Sequence, residues 1–376
     1  MLKIGIVCYP SIGGSGIVAT NLGMELARRG HQIHFISYDE PFLLDARHKN
    51  IRFHKVPINE YKLFKYPDYT LPLAVQIEQV QRKHKLDLIH VHYAVPHATA
   101  ALLARRIMRQ NNTLLPKIVT TLHGTDITLL ARDKSLYDII KYSIERSHGV
   151  TAVSESLRQE TIKILKPEHD IEVIYNFYTP EPVTRTRMQV RAALKVKDSD
   201  FLAIHISNLR PVKRIPDLLK ILTRFKNNPR FKLLILAGDD FSPYWKLATK
   251  LGVRHKLIVK NNVKNVGNYI GAADFGLYTS ETESFGMAAL ETMGYGRPVV
   301  TTNTGGIPEL VTDYVNGFMV KVGNINAFAK QLKLLMADTW LRKKMGQMAK
   351  KIACENFCAD KIVPQYLEYY KKIINN

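Results

Sequence analysis

Short apolar runs recur along this chain at spacings that leave room for a helix between most neighbours. That rhythm restricts the fold more than any other feature. The runs are Lys3–Tyr9, Gln32–Ser37, Leu86–His92, Lys117–Leu122, Gly149–Val153 and Glu172–Tyr175. Helical patterns over Pro96–Arg109, Ser135–Arg146 and Ser156–Leu165 separate several of them, and an earlier one runs to Arg29 and stops at Gly30. Strands alternating with helices make a parallel sheet covered by helices. Over Thr179–Lys197 the text changes to a connector, Thr-Pro-Glu-Pro-Val-Thr-Arg-Thr-Arg. The rhythm then restarts at Phe201–Ser207 and continues through Lys232–Ala237, Lys256–Val259, Phe275–Thr279 and Pro298–Thr302. The expected fold is therefore α/β, with two Rossmann-like doubly wound domains facing across an interdomain cleft. Ligands of such sheets sit at the carboxyl ends of the strands. We place the first domain at 1–180 and the second at 181–359, with a last helix over 360–376 packing back on the first and Pro364 interrupting or starting it.

At 376 residues the chain has ample core for two domains. No apolar run approaches the roughly 18 to 20 residues of a membrane span, so no integral membrane contact is expected. The opening Met-Leu-Lys-Ile-Gly-Ile-Val-Cys reads as a first strand, not a signal peptide. Cys8, Cys354 and Cys358 make neither a metal spacing nor an even disulfide set. A cytoplasmic location follows as an expectation. The formal net charge of +21 raises nucleic acid, an anionic membrane face and small anionic substrates as partners. Lys and Arg are spread along the whole chain without a nucleic-acid-binding signature, so no nucleic acid is expected. A solvated basic surface is the preferred account, with weak membrane-surface association the minority one.

The chemistry concentrates at Glu283-Ser-Phe-Gly-Met-Ala-Ala-Leu-Glu291. Ser284 reads as the N-cap of a helix through Met287, Leu290 and Met293, closed by Gly294 and Gly296. Free N–H groups and the positive end of the helix dipole there favour an anion. Two carboxylates beside an anion site suit a ligand with both hydroxyls and phosphates, such as a nucleotide sugar. A glycosidase pair fits poorly: on one helix, eight residues separate the carboxylates by about 12 Å along the axis, beyond the roughly 5 to 9.5 Å such pairs need. The plain alternative makes Glu283 a solvated turn residue and Glu291 a surface helix residue.

Gly14-Ser-Gly16-Ile-Val-Ala19 has the form of a dinucleotide fingerprint, with Asp39 where a ribose-binding acid would lie. The long approach Pro10-Ser11-Ile12-Gly13 argues against it, leaving an NAD-dependent oxidoreductase as the remoter alternative. Thr120-Thr-Leu-His-Gly-Thr-Asp126 puts His123 at the carboxyl edge of a strand. His90 and His92 share a strand face but lack a carboxylate or cysteine partner, so metal binding is not expected there. Asn208-Leu-Arg210-Pro-Val-Lys213-Arg214 offers paired cations at a strand-to-helix loop, suited to a diphosphate; the alternative is a solvated basic loop. Asp198-Ser-Asp200 lies in a linker-like turn, and Asp274-Phe-Gly276 lacks the companions of a kinase motif.

Together these residues resemble the GT4 family of retaining glycosyltransferases. The family-level marks are the Glu283 to Glu291 element and the basic loop before it. Longer passages carry the likeness further: Cys8 to Ile17, Phe64 to Pro67, His92 to His97, Thr120 to Asp126 and Ile174 to Phe177. The resemblance implies the GT-B fold and a hexosyltransferase that uses UDP-GlcNAc as donor and L-malate as acceptor, without a metal or cofactor, in bacillithiol biosynthesis. Within it, Glu291 would hold the ribose hydroxyls, and Glu283 with the backbone of Ser284, Phe285, Gly286 and Met287 would hold the sugar. Arg210 and Lys213 would neutralise the diphosphate, with Asn208 beside them and Gly14 and Ser15 completing the pocket. His123 would position the transferred sugar. Ser15, Tyr93, Thr121, Lys141 and Asn176 are the acceptor candidates. Many family members carry an arginine where this chain has Asn208, so Arg210 would supply that charge from two residues on. A homodimer is compatible with the resemblance. The nearest alternative keeps the mechanism and changes the acceptor to a lipid or glycan; a nucleotide-sugar binding protein without turnover is another.

Overall fold

A computed structural model describes residues 1–11, 13–58 and 68–376. The Phe64 to Pro67 passage, and Ile12 in the first glycine-rich loop, lie outside the described residues. The chain forms two units, Met1–Asn176 with Ala359–Asn376, and Phe177–Cys358.

The first unit is built on β1 (Lys3–Val7), β2 (Gln32–Ser37), β3 (Ile51–Lys55), β4 (Leu88–His92), β5 (Lys117–Leu122), β6 (Gly149–Ala152) and β7 (Glu172–Val173). They form one sheet in the order β3-β2-β1-β4-β5-β6-β7, and every pairing is parallel. Chain order reverses direction across β1 and β4, so the loops after these strands diverge and leave space at the carboxyl edge. Alternate side chains face opposite layers. Ile36 of β2 and Val56 just past β3 pack with Leu73, Ala74, Ile77 and Val80 of the helix Thr70–His84. Neither β3 nor this helix stood out in the sequence, because β3 is a half-exposed edge strand with the mixed text Ile-Arg-Phe-His-Lys.

The helix Ala359–Asn375 belongs to this unit. Its buried stripe of Ile362, Val363, Tyr366, Tyr369, Tyr370 and Ile373 follows helical periodicity. The Tyr369 hydroxyl donates to the Val150 carbonyl at 3.2 Å. Pro364 neither starts nor interrupts the helix, which runs through it.

The second unit carries β8 (Phe201–Ser207), β9 (Phe231–Ala237), β10 (Leu257–Asn261), β11 (Phe275–Tyr278), β12 (Val299–Thr302) and β13 (Gly317–Val320). Their order is β10-β9-β8-β11-β12-β13, again parallel throughout. The reversal falls at β8 and β11. The connector reading of 179–197 needs correction: Arg187–Ala193 is a helix with a Thr186/Gln189 capping box. Arg187 and Arg191 of this helix bind the Asp274 carboxylate, at 2.7 and 3.5 Å. Asp274 is therefore structural.

Candidate active site

Three loops of the second unit meet at the carboxyl edge beside β8 and β11. The loop after β8 turns through Pro211–Lys213, flanked by Leu209 (φ +54°) and Arg214 (φ +52°). Left-handed backbone at non-glycine residues costs about 1 kcal/mol or more each, so the surroundings must enforce it. They do so by hydrogen bonds: Glu281 N–H donates to Val212 O at 2.8 Å, and the Thr279 hydroxyl donates to Lys213 O at 3.0 Å. Behind the loop, buried His205 bonds Leu277 O through Nδ1 and Ser207 Oγ through Nε2, both at 2.8 Å. The carbonyl only accepts, so Nδ1 carries the proton. Burial depresses this imidazole to about 4, and it stays neutral.

The result is a fixed carboxylate. Lys213 Nζ donates to Glu283 Oε1 at 2.6 Å, and Ser280 Oγ donates to the same oxygen at 2.7 Å. The Lys213 and Glu283 side chains keep 21% and 19% of their surface, enough for a ligand to reach both. The third loop, after β12, fixes the Glu283 backbone through Gly306 N–H to Glu283 O at 2.9 Å. Only glycine fits next to that bond: Gly305 has φ +55°, and a Cβ there would lie 1.9 Å from Glu283 O.

The helix of the Glu283 to Glu291 element starts later than its sequence suggests. It spans Met287–Gly294, capped by left-handed Gly286 (φ +102°) with no side-chain cap. Ser284 is therefore not the N-cap. Its place is taken by a glycine because the chain must turn sharply after Glu283, and a serine hydroxyl cannot relieve a positive φ. Glu283 is consequently outside the helix, and the axial separation estimated for one straight helix does not apply. Glu291 is half-buried. Burial first, then Glu181, pushes its carboxyl up to about 7. Arg210 is exposed on the Lys213 loop, and Asn208 has a buried side-chain oxygen without a partner among the described residues.

In the first unit, Asp126 organises the turn after β5. Its Oδ1 accepts from the N–H groups of His123 (3.3 Å) and Gly124 (2.9 Å), and its Oδ2 from Ala94 N–H at 3.3 Å. Burial nevertheless raises this carboxyl to about 6, against the opposing pull of those bonds. His123 Nε2 lies 2.8 Å from His92 Nδ1, and His97 Nδ1–H donates to His92 O. Further in, His90 bonds Thr121 Oγ1 at 2.6 Å and the Tyr370 hydroxyl at 2.7 Å. Burial lowers His123 and His90 to about 3 and His97 to about 4. Such imidazoles are neutral near pH 7, and a base this weak is suited to hydrogen bonding rather than proton abstraction. Ser15 donates to Tyr93 Oη at 3.0 Å. Ser15 begins the helix Ser15–Arg28 after Gly14 (φ +56°).

Of the proposed acceptor residues, Ser15 and Tyr93 lie in this carboxyl-edge group, with the Tyr93 ring 5.3 Å from that of His123. Thr121 does not face a ligand: it is fully buried, closed by His90 and by Thr151 at 2.6 Å. Lys141 lies on the helix Lys134–Glu145, 3.7 Å from Glu145. Asn176 is buried, and its side-chain oxygen has no partner among the described residues. The sequence reading missed Ser280, Gly305, His97 and Asp126. The doublet Gly305-Gly306 after an apolar run was the available signal for the third loop.

Two doubly wound sheets, with a lysine–glutamate pair at the second one's carboxyl edge, are compatible with a transferase that takes sugar nucleotides. The chain belongs to the glycosyltransferases of family 4. Residues 12–181 match the family described as Glycosyltransferase Family 4, and residues 187–352 match Glycosyl transferases group 1. More particularly, the chain is 41% identical over 377 residues to N-acetyl-alpha-D-glucosaminyl L-malate synthase of Bacillus anthracis, covering 100% of this chain and 98% of that protein. It is 28% identical to an uncharacterized glycosyltransferase of Methanocaldococcus jannaschii, covering 98% of each. The fold matches a Rickettsia africae glycosyltransferase with a TM-score of 0.82, at 22% identity over 100% of this chain and 99% of that one. It also matches Anabaena Alr3699/HepE, solved with UDP-glucose, with a TM-score of 0.81 at 21% identity over 99% and 100% of the two chains. Among the described residues no helix is long and apolar enough to cross a membrane.

Proposed function

We propose that this glycosyltransferase moves N-acetylglucosamine from UDP-GlcNAc to the 2-hydroxyl of L-malate with retention, giving a GlcNAc-α-malate. The observation that carries this reading is the full-length 41% identity to the Bacillus anthracis malate synthase. In this reading each step has a candidate agent. Lys213, with Arg210 on the same loop, neutralises the diphosphate as the bond from the anomeric carbon to the phosphate oxygen breaks. Glu283, held by Lys213 and Ser280, takes hydroxyls of the sugar, and Glu291 takes those of the ribose. The malate hydroxyl oxygen bonds to the anomeric carbon on the face the phosphate leaves, and its proton passes to the departing phosphate oxygen. His123, neutral and backed by His92, orients the sugar by hydrogen bonds. Ser15, Tyr93 and Asn176 meet the acceptor. A cytoplasmic location accords with free thiols at Cys8, Cys354 and Cys358.

The test is UDP release from UDP-GlcNAc with L-malate, D-malate, succinate or no acceptor, with mass spectrometry of the product and a parallel run in EDTA. Release that depends on L-malate, survives EDTA and yields a GlcNAc-malate mass supports the reading. Donor binding with no malate-dependent release would move the acceptor to lipids or glycans. Loss of activity in EDTA would overturn the metal-free mechanism.

A further inference from the structure

His34 of β2, His54 of β3 and His84 at the end of the helix Thr70–His84 come together on one face of the first sheet. Side-chain alternation puts His34 and Ile36 on the helix-covered face of β2. The pairings of His34 with Arg52 and of Ile36 with His54 put the two β3 side chains on the same face. On the helix, Leu73, Ile77, Val80 and His84 form a single stripe at helical spacing, so the apolar layer ends in an imidazole. One ring nitrogen from each histidine lies within 4.8 Å of the other two. His34 Nδ1 and His54 Nε2 are 2.9 Å apart and share a hydrogen bond, edge to edge, with the two ring planes within 9° of parallel. Among the described residues, this is the group of His, Cys, Asp or Glu side chains whose donors come close enough to hold an ion.

The geometry points to a divalent transition-metal site at His34, His54 and His84, of the class that takes imidazole ligands, such as zinc. Tetrahedral zinc with nitrogen at about 2.0 to 2.1 Å needs ligand atoms about 3.3 Å apart. The His34–His54 hydrogen bond would have to break, its shared proton leaving and both rings turning toward the ion, while the third nitrogen draws in. Three imidazoles leave the fourth position to water. Ligation also needs neutral rings. Burial holds His34 and His54 at about 3 and about 4, and lowers His84 as well, with help from Arg52, Lys3 and Lys83.

Those cations also oppose the metal, and one of them does so through a specific bond. Arg52 Nη1 lies 3.3 Å from His84 Nδ1. A neutral imidazole that accepts from Arg52 at Nδ1 carries its proton on Nε2, so neither nitrogen is free for an ion. Metal ligation by His84 and the Arg52 contact therefore exclude each other. Arg52 would thus compete with the metal for His84. The site is separate from Lys213 and Glu283, and it does not rest on the malate reading.

The experiment uses the full chain without an affinity tag, stripped with chelator and then titrated with zinc against a chromogenic competitor. Cobalt absorption reports the coordination geometry, and far-UV circular dichroism controls for folding. One equivalent should bind with a tetrahedral cobalt spectrum. Changing His54→Gln or His84→Gln should weaken binding about tenfold or more, and Arg52→Gln should tighten it by a comparable factor. No binding at micromolar free zinc would overturn the proposal. So would equal binding in both histidine variants, which would move the ion to other histidines such as His92 and His123. An unchanged affinity in Arg52→Gln would overturn the competition.

Discussion

Lys213 and Glu283 approach to 2.6 Å across two loops that follow different strands. The lysine is thus already committed to a carboxylate before any phosphate arrives. A bound diphosphate would draw Lys213 partly away from Glu283, freeing that carboxylate to accept sugar hydroxyls. One ion pair could in this way link recognition of both halves of the donor.

Removing either partner should therefore damage turnover more than folding. Lys213→Ala and Glu283→Gln are each expected to lower kcat/KM for UDP release by about 10²- to 10³-fold, the scale of losing one group that stabilises developing charge. Circular dichroism and the thermal midpoint should stay near those of the parent. A loss smaller than tenfold in both variants would remove the pair from the site.

Gly305→Ala tests the geometry behind Glu283 without touching a polar side chain. The new Cβ would collide with Glu283 O, and the backbone would be held at an unfavourable φ. The expected outcome is a loss of more than about 1 kcal/mol in denaturant unfolding, together with reduced activity. A variant with parental stability and kinetics would show that this loop is free to move.

Glu291 gives a pH signature for donor binding. Burial and then Glu181 raise its carboxyl to about 7, and in the proposed role the ionised form is the stronger acceptor for ribose hydroxyls. UDP-GlcNAc affinity should therefore rise from pH 6 to pH 8 and then level off. UDP-GlcNAc has no phosphate ionisation in this window, unlike UDP. Calorimetric titration of the parent and of Glu291→Gln settles the matter: an equally pH-dependent variant would clear Glu291 of this role.

Stability should fall on the acid side of neutrality. His90, His97 and His205 have folded values of about 3, 4 and 4, against about 6.5 unfolded. Their contribution is complete above pH 6.5 and is lost as pH falls toward 4, because the unfolded chain takes up protons that the folded chain refuses. Asp126 and Glu291 act with the opposite sign, since their folded values lie above the unfolded ones. They favour the fold below about pH 4 and lose that contribution as pH rises through 6 to 7. The histidines outnumber them, so urea midpoints should drop between pH 7 and pH 5. Flat midpoints would mean these imidazoles are not kept neutral.

The sequence made the sheet rhythm legible because apolar strands and amphipathic helices differ in period, and Lys213, Glu283 and His123 stood out because they end or follow such strands. What it concealed was set by backbone or by pairing. Ser284 had the chemistry of a cap, but the turn required a positive φ and Gly286 supplied it. Thr121 lay on the right strand, yet its hydroxyl was claimed from behind by His90 and Thr151. His34, His54 and His84 lie far apart in the chain, and only the β2–β3 register and the end of one helix bring them together. Ser280 was invisible because a serine acquires meaning only once the carboxylate beside it is known.

The Tyr370–His90 hydrogen bond joins positions 280 residues apart inside one sheet's core. The unit that begins the chain is therefore finished by its last helix, while Phe177–Cys358 is continuous. On the ribosome the order of maturation would invert the order of synthesis: the later unit has all its parts first. Part of one face of the earlier sheet must wait uncovered until residue 370 emerges. For this chain, that interval is when apolar strands are most at risk of pairing with the wrong neighbour.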